Sequence, residues 1–327
     1  MKVLVTGGSG FIGTHLIRYL KASGYYVVNA DMREPPWSLV LADEFRWCDL
    51  REMDDALRAT RDVDWVFCLA ADMGGMGFVA DPEQQANILW NNTMINFNTL
   101  EAARVNGVER TFLASSVCVY PTSKLAVEYP EPLREEDVYP ANPEIMYGWE
   151  KLQAEHLHRA YRGYGIQTHI ARFQNVYGPN GTWRGGREKA PAAFCRKVAV
   201  TKLTGNPDVE IWGDGRPTRA FMWVGDCVEG ITQLIETDYG EPITLGPDRA
   251  VSINELVDII AEIAGVEIHK VYVDEGYQGV RGRAFDHGRC EDVLGWVPDT
   301  PPEIGLKPTY EWVEKQVKAA LERGEVL

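Results

Sequence analysis

A chain of 327 residues that is 45% hydrophobic has enough apolar material for one large domain plus a smaller one. Its 33 basic residues against 48 acidic ones give a net charge of -15, which argues against general binding to nucleic acid or to an anionic membrane. The six cysteines are scattered without paired metal-ligand spacing, so neither a disulfide framework nor a metal site is expected.

Residues 2–6 read as a strand with a single leading lysine rather than a basic stretch before an apolar signal core, and no apolar run nears a membrane span. The expected location is cytoplasmic. Further strands at residues 26–30, 45–48, 65–69 and 110–114 alternate with helical patterns, predicting an α/β fold with a Rossmann-type, doubly wound parallel sheet. Beyond Gly178, Pro/Gly-rich turns separate shorter elements, as in a smaller substrate-binding lobe. The expected division is residues 1–178 for the dinucleotide and 179–327 mainly for the substrate. Residues 173–177, 221–224 and the helix after Asp226, within a stretch around 221–236, are candidates to return to the first domain.

Gly7, Gly10 and Gly13, with Phe11 and Ile12 between them, follow the first strand and open a helix, the place for a dinucleotide pyrophosphate. Asp31 ends the second strand eighteen residues after Gly13, where a carboxylate accepts hydrogen bonds from the adenine ribose and repels a 2'-phosphate. NAD is therefore favoured over NADP, with Arg33 as the feature pointing the other way. Asp49 and Leu50 after the third strand, and Leu69, Ala70 and Ala71 after the fourth, are candidate walls for the adenine and nicotinamide halves.

Ser116 closes the fifth strand, with Cys118 two residues on. Tyr147 and Lys151 then stand one helical turn apart, and the ammonium is expected to lower the phenol's pKa from about 10, making a general base. Tyr120 and Lys124 share that spacing, but Pro121 disfavours a helical Tyr120, so they should not share a helix face. Six cations and one acid between Arg184 and Lys202 give a local charge of +5, a candidate anion-binding patch. Cys118 and Lys189 supply a thiol and an amine, the pair needed to take a proton from one side of a carbon and return it from the other.

With these residues assembled, the chain resembles the extended short-chain dehydrogenase/reductases that modify nucleotide sugars. Within them it is most similar to the GDP-mannose 3,5-epimerase group. The closer match rests on residues 69–78, 91–94 and 115–121, on the unusual run 181–197, and on 279–283. The resemblance implies that Tyr147, helped by Lys151 and Ser116, takes the C4 hydroxyl proton of the sugar while NAD takes hydride, with Tyr147 and Lys151 also binding the cofactor. It assigns Cys118 and Lys189 as the acid/base pair that inverts C3 and C5, yielding GDP-L-galactose with GDP-L-gulose as 5-epimer. It places Met76, Gly77, Asn175, Glu188, Lys197, Arg219, Arg281 and Arg283 around the substrate, and it implies a homodimer. Gln174 departs from the family's usual histidine. A 4,6-dehydratase of the same fold would need an acid pair where this chain has Val117-Cys118, a simple 4-epimerase would need neither Cys118 nor Lys189, and a non-catalytic NAD-binding scaffold is the distant alternative.

Overall fold

The computed structural model describes residues 1–37, 42–125, 131–274, 281–282 and 284–326. The first half runs β1 (Lys2–Thr6), α1 (Phe11–Ala22), β2 (Tyr26–Asp31), β3 (Glu44–Trp47), α2 (Met53–Ala59), β4 (Trp65–Cys68), α3 (Met76–Val79), α4 (Pro82–Val105), β5 (Arg110–Ser116), α5 (Met146–Tyr161) and β6 (Gln167–Phe173). The second half runs β7 (Asn175–Tyr177), α6 (Ala190–Thr204), β8 (Asp208–Trp212), β9 (Thr218–Trp223), α7 (Val224–Glu236), β10 (Ile243–Leu245), β11 (Ala250–Ser252), α8 (Ile253–Ala264), β12 (His269–Val273), α9 (Gly288–Leu294) and α10 (Pro302–Glu322).

Seven strands form one parallel sheet in the order β10-β6-β5-β4-β1-β2-β3. The near-continuous apolar runs of β1 and β4 fit strands covered by helices on both faces. On one face Leu16, Ile17 and Leu20 of α1 meet Cys227, Val228 and Ile231 of α7; on the other, Ala56 and Ala59 of α2 meet Ala102 and Ala103 of α4. The chain thus doubles back at β1 between β4 and β2, and a doubly wound sheet binds ligands at such a reversal. Pairing of β5 with β4 ends at Leu113, but pairing with β6 continues to Ser116, so β5 reaches three residues further toward that edge.

The later segments divide. Helix α7 returns to the large sheet and β10 extends its edge, a three-residue strand too short to read in sequence. Phe173 ends β6 in that sheet, whereas β7 and β9 form a separate three-stranded sheet with β11. Helices α6, α8 and α10 build a second core around Phe194, Val198, Leu256, Ile260, Tyr310 and Val313. Among the described residues, no helix is long and apolar enough to cross a membrane.

A buried ion pair ties β6 to α5. Arg172 of β6 holds Glu155 of α5 through two hydrogen bonds of 2.8 and 2.9 Å, and Ser115 donates to the same carboxylate at 2.6 Å. Removing one partner of such a pair strands a buried charge at a cost of about 3–5 kcal/mol. It therefore locks β5 to α5 one turn beyond Lys151.

Candidate active site

Gly7 adopts φ +65°, and a Cβ there would lie 2.8 Å from the Ala70 Cα, so the loop can close only over glycine. A Cβ on Gly13 would lie 2.5 Å from the Gly7 carbonyl oxygen, while Gly10 donates its N–H to that oxygen at 3.0 Å. Helix α1 then begins with no side-chain cap and no acid in its first turn, leaving N–H groups aimed where a phosphate binds. Phe11 and Ile12 pack on the core beneath. The Asp31 carboxylate accepts from the Ser9 and Arg33 backbone N–H groups at 3.0 and 3.2 Å, which fixes its direction. Leu69 and Ala70 both donate to Thr6 Oγ1 at 3.2 Å, which holds the end of β4, followed by Ala71, beside the glycine loop. Asp49 is clamped by Arg51, which holds its carboxyl below the usual range, and Leu50 is buried. A glycine-rich loop, an uncapped helix start and an oriented carboxylate together fit NAD.

At the end of β5, Ser116 Oγ accepts the Cys118 N–H at 3.2 Å and caps a short turn over Val117–Val119. Helix α5 begins directly against that turn. Tyr147 is buried with its phenol in reach of the Ser116 hydroxyl, and Lys151 Nζ lies 5.6 Å from the phenol ring's centre. The expected lowering of the Tyr147 pKa is not what this arrangement gives. Burial pushes the phenol well above 10, and Cys118 and Glu150 push in the same direction against the Ser116 hydrogen bond. Lys151 is itself paired with Glu150, 3.7 Å away. Tyr120 and Lys124 are separated as expected: Tyr120 is buried against Thr244 at 2.9 Å, while Lys124 pairs with Asp137.

The loop before α3 meets the loop before α6. Gly75 N–H donates to the Arg187 carbonyl at 2.9 Å, and a Cβ on Gly75 would stand 2.3 Å from the Glu188 carbonyl. Arg187 lies 3.7 Å over the Phe78 ring and 2.9 Å from Asp72. Met76, Cys118 and Tyr147 share one apolar cluster, and Gly77 beside Met76 leaves open space. Lys189, at the start of α6, interacts electrostatically with Cys118. The protein packed around Lys189 pushes its ammonium pKa below 10.5, the direction its proposed chemistry needs.

The basic run does not act as a free patch. Arg184 pairs with Glu325, Arg187 with Asp72, Arg196 with Glu188, Lys197 with Glu210 and Lys202 with Glu314. Lys189 is the one cation of the run without a carboxylate partner among the described residues. The local +5 is therefore largely neutralised by acids remote in sequence. Glu188 itself is held by Arg196 and by the Gly186 N–H.

The remaining substrate candidates gather near β7, β8 and β9. Asn175 donates to the Ala220 carbonyl at 3.5 Å, Arg219 to Thr218 at 2.7 Å, and Lys197 to the Glu210 carbonyl at 2.7 Å. Arg281 pairs with Asp214 at 2.8 Å and accepts the Thr218 N–H on its carbonyl. Arg283 lies outside the described residues. Gln174 is buried against His287 at 2.9 Å. Glu150, Asn92 and Asn96 are additions to the site: Asn92 and Asn96 donate to the Glu150 carboxylate at 3.2 and 2.9 Å. Only Glu150's position beside Lys151 could have signalled it in sequence.

The sheet, the glycine loop and the Ser116–Tyr147–Lys151 grouping define an extended short-chain dehydrogenase/reductase. Residues 3–246 match the model of the NAD dependent epimerase/dehydratase family, and the chain belongs to that family. It is 44% identical over 327 residues to GDP-mannose 3,5-epimerase 1 of Oryza sativa subsp. indica, covering 99% of this chain and 84% of that protein. Among solved structures it is similar to a UDP-glucose 4-epimerase with UDP-glucose from Thermotoga maritima, with TM-score 0.84 and 27% identity over 97% of this chain and all of the other. It is also similar to a UDP-glucose 4-epimerase complexed with NAD from Thermus thermophilus, with TM-score 0.79 and 27% identity over 96% and 99% of the two chains.

Proposed function

We propose that the protein epimerises a nucleotide-diphosphate sugar, GDP-mannose, at C3 and C5 through transient oxidation at C4. The observation that carries this reading is Cys118 packed with Tyr147 on one side and facing Lys189 on the other, a lysine without a carboxylate partner among the described residues. A simple 4-epimerase needs only the tyrosine, lysine and serine. When bound, NAD supplies a reversible hydride acceptor.

Tyr147 acts as its phenolate, the form the Lys151 charge favours against burial, and takes the C4 hydroxyl proton while Ser116 holds the same oxygen. The resulting carbonyl acidifies the hydrogens on C3 and C5. Cys118 and Lys189 then exchange these protons, one group removing and the other returning from the opposite side. A lysine with a depressed pKa gives up its proton readily. Asn175, Lys197, Arg219, Arg281 and Arg283 serve the diphosphate, for which arginine's planar fork is suited. Residues 1–178 carry the cofactor and 179–327 mainly the nucleotide sugar, with α7 built into the first domain.

A homodimer completes the reading. Helices α4 and α5 pack together and expose Trp90, Phe97, Met146 and Trp149, an apolar surface suited to a second copy of the pair. The test of function is incubation with GDP-mannose in deuterated water. Deuterium at both C3 and C5 is the expected result; label at C5 alone would restrict the activity to one centre, and none with NAD bound would reject GDP-mannose as substrate.

A further inference from the structure

Helix α5 carries a buried carboxyl group that the reaction as described does not use. Glu150 is almost wholly shielded, with its side chain 1% exposed, and Lys151 beside it is 4% exposed. Two amides of α4 hold the carboxylate: Asn92 Nδ2 donates to Oε2 at 3.2 Å and Asn96 Nδ2 to Oε1 at 2.9 Å. Lys151 Nζ stands 3.7 Å from Oε2. Asn92 is fixed in turn, accepting the Asp72 N–H at 2.6 Å and donating to the Asp72 carbonyl at 3.2 Å. The carboxylate is thus held at both oxygens, Asn92 sharing Oε2 with the lysine and Asn96 taking Oε1, with its orientation set by a neighbouring helix.

We propose that Glu150 is a positioning residue for Lys151, whose charge and place beneath Tyr147 it maintains in a site with little water. The inference rests on the reading of Tyr147 and Lys151 as catalytic. An ammonium deprived of water loses its proton easily, and a counterion within 4 Å restores the charged form. The carboxylate supplies that counterion without touching substrate. Burial raises the Glu150 pKa, while Lys151, Asn92 and Asn96 act to keep it ionised.

The groups that face this pair set the sign of the pH effect. On α5 itself, Tyr147 lies on the lysine and Glu150 opposes its ionisation, while the cation also acts on His158, a turn or more beyond. From β4, Cys68 interacts with Lys151, but burial pushes that thiol up to about 12, so it brings no charge at neutral pH. From the β5 turn, Ser116 and Cys118 act on Tyr147. From α4 come only the neutral asparagines. Glu150 is the one carboxyl group among these, 3.7 Å from the Lys151 ammonium.

Replacing it by Gln keeps the shape and removes the charge. In Glu150→Gln the alkaline limb of the pH–rate profile for GDP-mannose turnover is expected about 1 pH unit or more below that of the wild type. The affinity for NAD, measured by calorimetry against pH, should show the same earlier alkaline loss, because Lys151 is also a predicted cofactor ligand. Glu150→Asp keeps the charge at a longer separation and should move both limbs the same way by a smaller but measurable amount. If Glu150→Gln does not fold, the aspartate variant decides. Unshifted alkaline limbs in a folded variant overturn the proposal. A Tyr147→Phe control separates the two possible failures: full activity there removes the catalytic reading itself, whereas an inactive control beside an unshifted Glu150→Gln profile removes only the role of Glu150.

Discussion

The carbonyl oxygen of Cys118 lies 2.2 Å from where a Cβ on Gly148 would stand. Helix α5 therefore approaches the Ser116–Cys118 turn at backbone distance, and the residue after Tyr147 must be glycine. This contact sets the separation between the phenol, the serine hydroxyl and the thiol. Gly148→Ala has to push the helix from the turn, since neither carbonyl nor helix backbone can give way cheaply. The overpacking should cost about 1–3 kcal/mol, seen as a lower thermal midpoint. Turnover should fall about a hundredfold, because small displacements of reacting groups are expensive. A variant with wild-type turnover would show that this contact does not set the geometry.

Arg187 allows a different dissection. Its guanidinium is half-exposed, so the pair with Asp72 contributes only about 0–1 kcal/mol to stability. Its position is more consequential, because it joins the loop bearing Met76 to the loop bearing Lys189. Arg187→Gln should leave the thermal midpoint nearly unchanged and slow deuterium exchange at C3 and C5 about tenfold. Nicotinamide reduction in a single turnover should change much less. Equal losses in both steps would place Arg187 in general substrate binding instead.

What sequence could show follows the range of each interaction. The glycine loop, Asp31 and the Tyr147–Lys151 pair are local patterns, legible because their geometry follows from strand, turn and helix spacing. The charge of the 184–202 run was not legible. Its acids come from Asp72, 115 residues from Arg187, and Glu325, 141 residues from Arg184. Glu150 stood in plain view between Trp149 and Lys151, but its partners lie 58 and 54 residues away on α4. The burial of Glu150 beside Lys151 was therefore invisible, as was the burial of Tyr147 that holds its phenol above the ordinary pKa.

His158 provides a stability test on the same helix. It is fully buried, and burial pushes its pKa from 6.5 down to about 3. The unfolded chain takes up this proton near pH 6.5 and the folded chain only near 3. The stability gained by keeping the ring neutral is complete above pH 6.5 and is lost as pH falls, by up to about 1.4 kcal/mol per unit. His158→Leu should flatten the decline in urea-derived stability between pH 6.5 and 4.5. Parallel declines in the two proteins would assign the acid sensitivity to other groups.

Tyr147→Phe and Cys118→Ala divide the reaction at its intermediate. Phenylalanine preserves the ring in its apolar cluster with Met76 and Cys118 but has no oxygen to receive the C4 hydroxyl proton. Single-turnover nicotinamide reduction should fall by about 10²–10⁴. Cys118→Ala leaves Tyr147 and Ser116 in place and also removes a group that raises the tyrosine pKa. Reduction should therefore persist in that variant, while deuterium exchange into the sugar is lost at one or both carbons. Lys189→Met is expected to match the alanine variant in reduction and to differ in which carbon loses its exchange. Exchange at wild-type rate in both variants would mean that neither group carries the proton and that another base serves C3 and C5.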